Sequence, residues 1–150
     1  MQRFQNFTQE SFGSRQVGRA LSALSQLMEF SEVNEPMQLL WALVGTEALY
    51  IHGKVELLEQ VEDKSQLLLG AQTSHKKLVG KMYEFRSGFM HGSLDFPCVA
   101  ASMDDVRERY SQELKESIST ATAILVSMLQ HMIEKDWTQL FFQYVAKGTP

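Results

Sequence analysis

The stretch NEPMQLLWALVGTEALYIH, Asn34 to His52, decides the fold class. Its apolar residues do not alternate as they would along a half-buried strand. Leu39, Leu40, Leu43, Val44 and Ala48 recur at helical spacing, over an arc wide enough for a helix that is largely buried. Asn34 is placed to cap it, and Pro36 falls near the first turn, where a missing amide hydrogen costs nothing. Gly53 ends or bends it. A helix buried on most sides needs other helices around it, and the rest of the chain supplies them.

Upstream, Leu21, Leu24, Leu27 and Met28 make one stripe on a helix over roughly residues 14–30. Downstream, KVELLEQVEDKSQLLL reads as a helix over about 54–69 with Gly70 as its stop. The next begins near Ser74 and runs through Lys81 and Tyr83 into KMYEFRSGFMHG, Lys81 to Gly92. GSLDFPCVAA is a loop, and Ser102 with Asp105 matches a capping box. Behind it lies the longest helix, about 103–134, with Val106, Tyr110, Leu114, Ile118, Leu125, Met128, Leu129, Met132 and Ile133 on its apolar side. Asp136 is placed to cap a short final helix carrying Trp137, Leu140, Phe141, Tyr144 and Val145. Prolines stand only at 36, 97 and 150, so long helices are permitted, and no segment reads as a strand. The expected fold is all-α: an up-and-down bundle of five to six helices in a single domain over residues 14–150. Residues 1–13 form an N-terminal segment that either docks through Phe4, Phe7 and Phe12 or frays.

Composition narrows the function classes. With 150 residues, 44% of them hydrophobic, the chain is long enough for a substantial core. The single cysteine, Cys98, permits no intrachain disulfide and no cysteine-based zinc framework, which fits a reducing, cytoplasmic setting. Cys98 itself reads as a small buried hydrophobe. No run of about 20 apolar residues is present, so a soluble protein without membrane attachment is expected. A net charge of −4 argues against a surface that grips nucleic acid everywhere. Locally the sign reverses. Lys76, Lys77, Lys81 and Arg86 stand against Glu84, giving +3 between Lys76 and His91 with histidine neutral.

The usual catalytic signatures are absent: no GxGxxG, P-loop, GxSxG or HExxH occurs. His52, His75, His91 and His131 have no mutual spacing that places two on one helical turn, so neither a metal nor another cofactor is expected. His75 reads as solvent-facing near a helix start, and His131, between Met128 and Met132, as partly buried. Glu59, Glu62 and Asp63 read as a solvated helix face. The methionines fall mostly on helical stripes and read as core.

KMYEFRSGFMHG remains. An aromatic packing segment needs neither Arg86 nor His91, and glycine weakens a helix. Positions five apart on an α-helix point about 140° apart. For both groups to serve one substrate, the helix loosens around Gly88, the arginine bends round, or a second copy supplies the missing group. The third route predicts a dimer with a composite site on its two-fold axis.

Three stretches together, LLWALVGTEALYIHG, LLLG and YEFRSGFMHGS, resemble the HEPN superfamily of all-helical domains, and most closely its Apea-like branch. The resemblance covers roughly residues 17–134. It implies that the family's Arg-x(4–6)-His motif falls on Arg86 and His91. The polar residue that follows the arginine in many members is Ser87 here. Glu47 stands where related sequences tend to carry an acid, and either orients Arg86 or satisfies a buried polar position. Catalytic members are metal-independent endoribonucleases that act as dimers, commonly restrained by a regulatory partner or antitoxin and often serving in phage defence or as toxins. The residue types suit that chemistry. An imidazole takes the proton from a ribose 2′-hydroxyl, and a guanidinium fork fits phosphate oxygens that gain charge in the transition state. Lys76, Lys77 and Lys81 are then candidates for RNA contact.

Three functions follow as expectations. The first is a homodimeric RNase. The second is the same fold holding RNA or a nucleotide without cleaving it. The third is a dimerisation domain in which Arg86 and His91 satisfy buried polar groups, with Glu47 as the arginine's partner.

Overall fold

A computed structural model describes residues 15–29, 35–50, 57–71, 73–94 and 105–142, the side chains of residues 15 and 105–111 excepted. Five helices lie among them: α1 (Arg15–Glu29), α2 (Glu35–Tyr50), α3 (Leu57–Leu69), α4 (His75–His91) and α5 (Asp105–Lys135). The fold is an all-α bundle. Asn34, His52, Gly53, Cys98, Ser102, Phe4, Phe7, Phe12 and the side chains of Val106 and Tyr110, all assigned roles from the sequence, lie outside the described residues. No helix among those described is long and apolar enough to cross a membrane.

Helix α2 touches all four others, which is why its apolar residues spread so far round it. Leu39, Ala42, Leu43, Leu49 and Tyr50 are fully enclosed, while Val44 emerges on the surface. Gly45 sets how near its neighbours come. A Cβ there would sit 2.7 Å from Leu125 Cδ2 of α5 and 3.2 Å from Ala23 Cβ of α1. The core is completed by Val17 and Ala20 of α1, Val61 of α3, Val79 and Met82 of α4, and Leu114, Met128 and Met132 of α5. Met28 and Met90 depart from the expected core role and are exposed.

The expected sixth helix is absent from 136–142, and Tyr144 and Val145 lie outside the described residues. Asp136 does not open a helix; it closes α5. Its backbone is left-handed, with φ 55°. The Asp136 amide donates to the Ile133 carbonyl at 3.1 Å and the Trp137 amide to the Met132 carbonyl at 2.9 Å, the two bonds of a Schellman motif. The chain then crosses the bundle without helical bonding. Gln16 holds it there, accepting from the Leu140 amide at 2.9 Å and donating to the Leu140 carbonyl at 3.3 Å. Beyond it the Phe142 ring stands 6.3 Å from Tyr50 and 5.0 Å from Lys64 Nζ.

The α3–α4 contact is more polar inside than the sequence indicated. Glu59 and Asp63 are exposed, as expected of a solvated face, but Glu62 is buried and faces Lys76 Nζ at 3.9 Å. Lys64 is buried too. It donates to the carbonyl of Tyr50, the last residue of α2, at 2.6 Å, and to Gln60 Oε1 at 2.7 Å. A lysine in that place stabilises the negative end of the α2 dipole. Burial lowers its pKa.

His75 is likewise enclosed rather than solvent-facing, because α3 covers the start of α4. Its Nε2 lies 2.7 Å from Ser65 Oγ. A serine beside a histidine invites a nucleophile reading, but the pair is sealed inside the bundle. The Ser65 hydroxyl also lies 2.6 Å from the Val61 carbonyl and 3.2 Å from the Glu62 carbonyl, local backbone acceptors that compete for its one hydrogen. His131 is partly buried, edge-on to Trp137 at 5.5 Å between centroids.

Candidate functional site

The helix that carries Arg86 and His91 is unbroken from His75 to His91. It does not loosen around Gly88. The geometry that applies is therefore that of a regular α-helix, with the two residues about 140° apart. The glycine has a different purpose. After Gly92, which turns the chain in the left-handed conformation at φ 71°, the backbone doubles back over α4. The Gly88 carbonyl accepts from the Leu94 amide at 3.1 Å and from Ser93 Oγ at 3.4 Å. Leu94 then lies where a side chain at 88 would go: a Cβ there would be 2.4 Å from its Cδ1 and 2.7 Å from its Cγ.

A coupled pair of variants tests this. Gly88→Ala gains helix propensity of about 1 kcal/mol but overpacks by about 1–3 kcal/mol, for an expected net loss near 1 kcal/mol. In a Leu94→Ala background the overpacking vanishes, and the same substitution should stabilise. Chemical denaturation of the four proteins gives the cycle. Equal effects of Gly88→Ala in both backgrounds would refute the contact.

Arg86 points back toward α2. Its Nε lies 3.4 Å from Glu47 Oε1, with the side chains 34% and 18% exposed, so the pair is neither sealed nor fully solvated. The guanidinium carbon sits 5.7 Å from the centre of the Tyr83 ring, one turn earlier on α4. Arg86 is thus held on one edge by a carboxylate and on one face by an aromatic ring. Among the described residues no ion pair or hydrogen bond involves its two terminal nitrogens, the fork that a guanidinium presents to an anion.

Beneath it the polar groups are incompletely matched. Tyr83 Oη and Glu47 Oε1 are both buried; the two groups interact, but neither atom reaches good hydrogen-bond geometry. Burial raises the Tyr83 pKa well above its ordinary value near 10. The Glu47 charge and hydrogen bonding to Glu47 raise it further, and Arg86 opposes them. Tyr83 therefore stays a neutral hydroxyl. It is a residue of this site that spacing arguments overlooked, although it occupies the position i−3 from the arginine, where an aromatic ring meets a neighbouring side chain.

His91 is the last residue of α4 and is exposed, as is Ser87. Glu47, Tyr83 and Arg86 come together, while His91 stands apart from them at the helix end.

The lysines give less positive field than their number implies. Lys81 Nζ lies 3.2 Å from Glu84 and 3.4 Å from Glu113 of α5. Those carboxylates raise its pKa, its hydrogen bond to Glu84 contributing most. Lys76 faces Glu62. Counting the partners Glu47, Glu62 and Glu113 against the excess of +3 leaves zero. Lys77 is exposed and pairs with no described residue. Among the described residues no three His, Cys, Asp or Glu side chains gather as a metal-ligating group.

No protein family, curated protein or solved structure gives a significant match to this chain.

Proposed function

We propose that this protein is a metal-independent endoribonuclease of the HEPN type, acting as a homodimer whose composite cleft takes Arg86 and His91 from both copies. The observation that carries the reading is the division of labour along α4. Arg86 is anchored by Glu47 and Tyr83 with its terminal nitrogens unpaired among the described residues, and His91 stands exposed on a different bearing of a continuous helix. On a regular helix the two residues point about 140° apart, with Arg86 turned to Glu47, which supports a site that a second copy would complete. Met90, one turn past Arg86 on the same side and 65% exposed, is apolar surface that such a partner would cover.

In this reading Arg86 binds a non-bridging phosphate oxygen and stabilises the charge that gathers there. A neutral His91 removes the 2′-hydroxyl proton, and the 2′-oxygen attacks phosphorus in line. The bond to the 5′-oxygen breaks, and the leaving oxygen is protonated by water. The products are a 2′,3′-cyclic phosphate and a 5′-hydroxyl end, and DNA is not a substrate. Lys77 and Ser87, both exposed, would make secondary contacts in this reading. A phage-defence or toxin-like role, with a restraining partner or antitoxin, accompanies this reading through the family resemblance.

Cancellation of the basic patch by Glu47, Glu62 and Glu113 favours a second reading, a module that dimerises or holds RNA or a nucleotide without cutting it. End-labelled RNA incubated in EDTA with the wild type and with His91→Ala separates the two. The nuclease reading expects cyclic-phosphate ends from the wild type and a rate at least ~10²-fold lower from the variant. Intact RNA in both reactions, from folded dimers, would leave the second reading standing.

A further inference from the structure

The under-matched atoms beneath Arg86 call for an explanation, because a buried hydroxyl left without a good hydrogen bond costs about 1–3 kcal/mol. Tyr83 supplies a donor that interacts with Glu47 without reaching good hydrogen-bond geometry. Glu47 Oε1 is an acceptor that meets Arg86 Nε at 3.4 Å, long for a charge-assisted bond. The two under-matched groups share one guanidinium between them: Glu47 on its edge, the Tyr83 ring on its face.

We propose that Tyr83 is the positioning residue of this site: its hydroxyl takes up the Glu47 carboxylate when the Arg86 guanidinium turns to a phosphodiester. The identity of that ligand rests on the functional reading above; the exchange of partners rests on the geometry. Arg86 cannot serve a phosphate and Glu47 equally, since both want the same charge. When it moves outward, the carboxylate would be left buried with a weaker partner, a state that opposes binding. A neutral hydroxyl close by removes that opposition and keeps the acid behind the arginine. Tyr83 is suited to the part because burial and Glu47 together hold its proton on. The ring stays under the guanidinium throughout, so the arginine moves over a platform and not into open solvent.

The test uses a 2′-O-methyl RNA oligonucleotide, which carries phosphodiesters but cannot be cut. Binding is read by fluorescence anisotropy, and the ¹⁵Nε–H resonance of Arg86 is followed in the labelled full chain. Tyr83→Phe keeps the ring and removes only the hydroxyl. It should leave the thermal transition at neutral pH almost unmoved, weaken binding roughly tenfold and reduce the ligand-induced shift of the Arg86 resonance. In a Glu47→Gln background the same substitution should have no further effect on binding, because the pair acts as a unit.

Equal affinity and equal resonance shift in wild type and Tyr83→Phe would overturn the assignment. So would an additive loss in the Glu47→Gln background. A parallel reaction on unmodified RNA keeps the two levels apart. Binding that depends on Tyr83, with no cleavage, would sustain the positioning role and defeat the nuclease. Cleavage with an Arg86 resonance that ignores the probe would do the reverse. Neither binding nor cleavage by the wild type would defeat both.

Discussion

Mixing two dead variants should restore RNA cleavage. If the chain is the proposed nuclease, Arg86→Ala and His91→Ala should each cut at least ~10²–10⁴-fold more slowly than the wild type, one for want of the proposed phosphate clamp and the other of the proposed proton acceptor. In a mixed dimer the arginine of one chain and the histidine of the other are both intact. If the site is built across the two-fold, one complete pairing survives there. Random exchange makes half of the dimers mixed, each with one intact pairing of two, so activity should return to roughly a quarter of the wild-type level. If each chain built its own site, every mixed dimer would carry two broken ones, and the mixture would stay as inactive as its components. The regular course of α4 through Gly88 is the reason to expect the first result. Co-refolding the variants and measuring the initial rate decides it. A mixture that stays dead despite verified heterodimers would sink the composite site.

A second large effect concerns stability at high pH. Tyr50 and Tyr83 both bury their hydroxyls, and burial raises the pKa of each above the usual value near 10. The folded chain therefore retains two protons that the unfolded chain releases above pH ~10. A raised pKa contributes stability that is complete below the unfolded value and declines as pH rises toward the folded one. Each tyrosine costs about 1.4 kcal/mol per pH unit in that window, and the two together about 2.7 kcal/mol. Between pH 10 and 12 the loss approaches ~5 kcal/mol, comparable with the whole stability of a small domain. Lys64 acts oppositely: its lowered pKa makes the unfolded state the better proton binder up to its own value near 10.4, so stability rises with pH there.

Urea midpoints collected from pH 8 to 12 should accordingly fall steeply beyond pH 10. Tyr50→Phe and Tyr83→Phe should each remove about half of the slope while changing stability little at pH 7, where a buried hydroxyl without good hydrogen-bond geometry is no asset. An unchanged slope in either variant would show that its hydroxyl is not sealed. Tyr83→Phe thus has a double signature: a gain in alkaline stability and a loss in ligand binding.

The helices were legible because their signals are local. Stripes recurring every three or four residues, Gly70 past the end of α3 and Gly92 past the end of α4 all act within a turn or two of themselves. The expectation that Glu47 meets Arg86 came from a resemblance, and the two side chains do pair, at 3.4 Å. Asp136 shows where locality fails. Aspartate opens helices with a side-chain cap and tolerates the left-handed conformation that closes them, and only its φ of 55° tells which applies.

What the chain determined unaided was an all-helical bundle. What only the tertiary structure decided was who faces whom. The sequence count of +3 is cancelled by Glu47 of α2, Glu62 of α3 and Glu113 of α5, none of them close in sequence to the charge it meets. His75 is buried because α3 covers it, and Tyr83 belongs to the site because its ring lies against Arg86 and its hydroxyl faces Glu47 from the next helix. Periodicity reports on which side of a helix a residue lies. Charge and burial depend on what another helix brings to that side, and that is settled only when the helices pack.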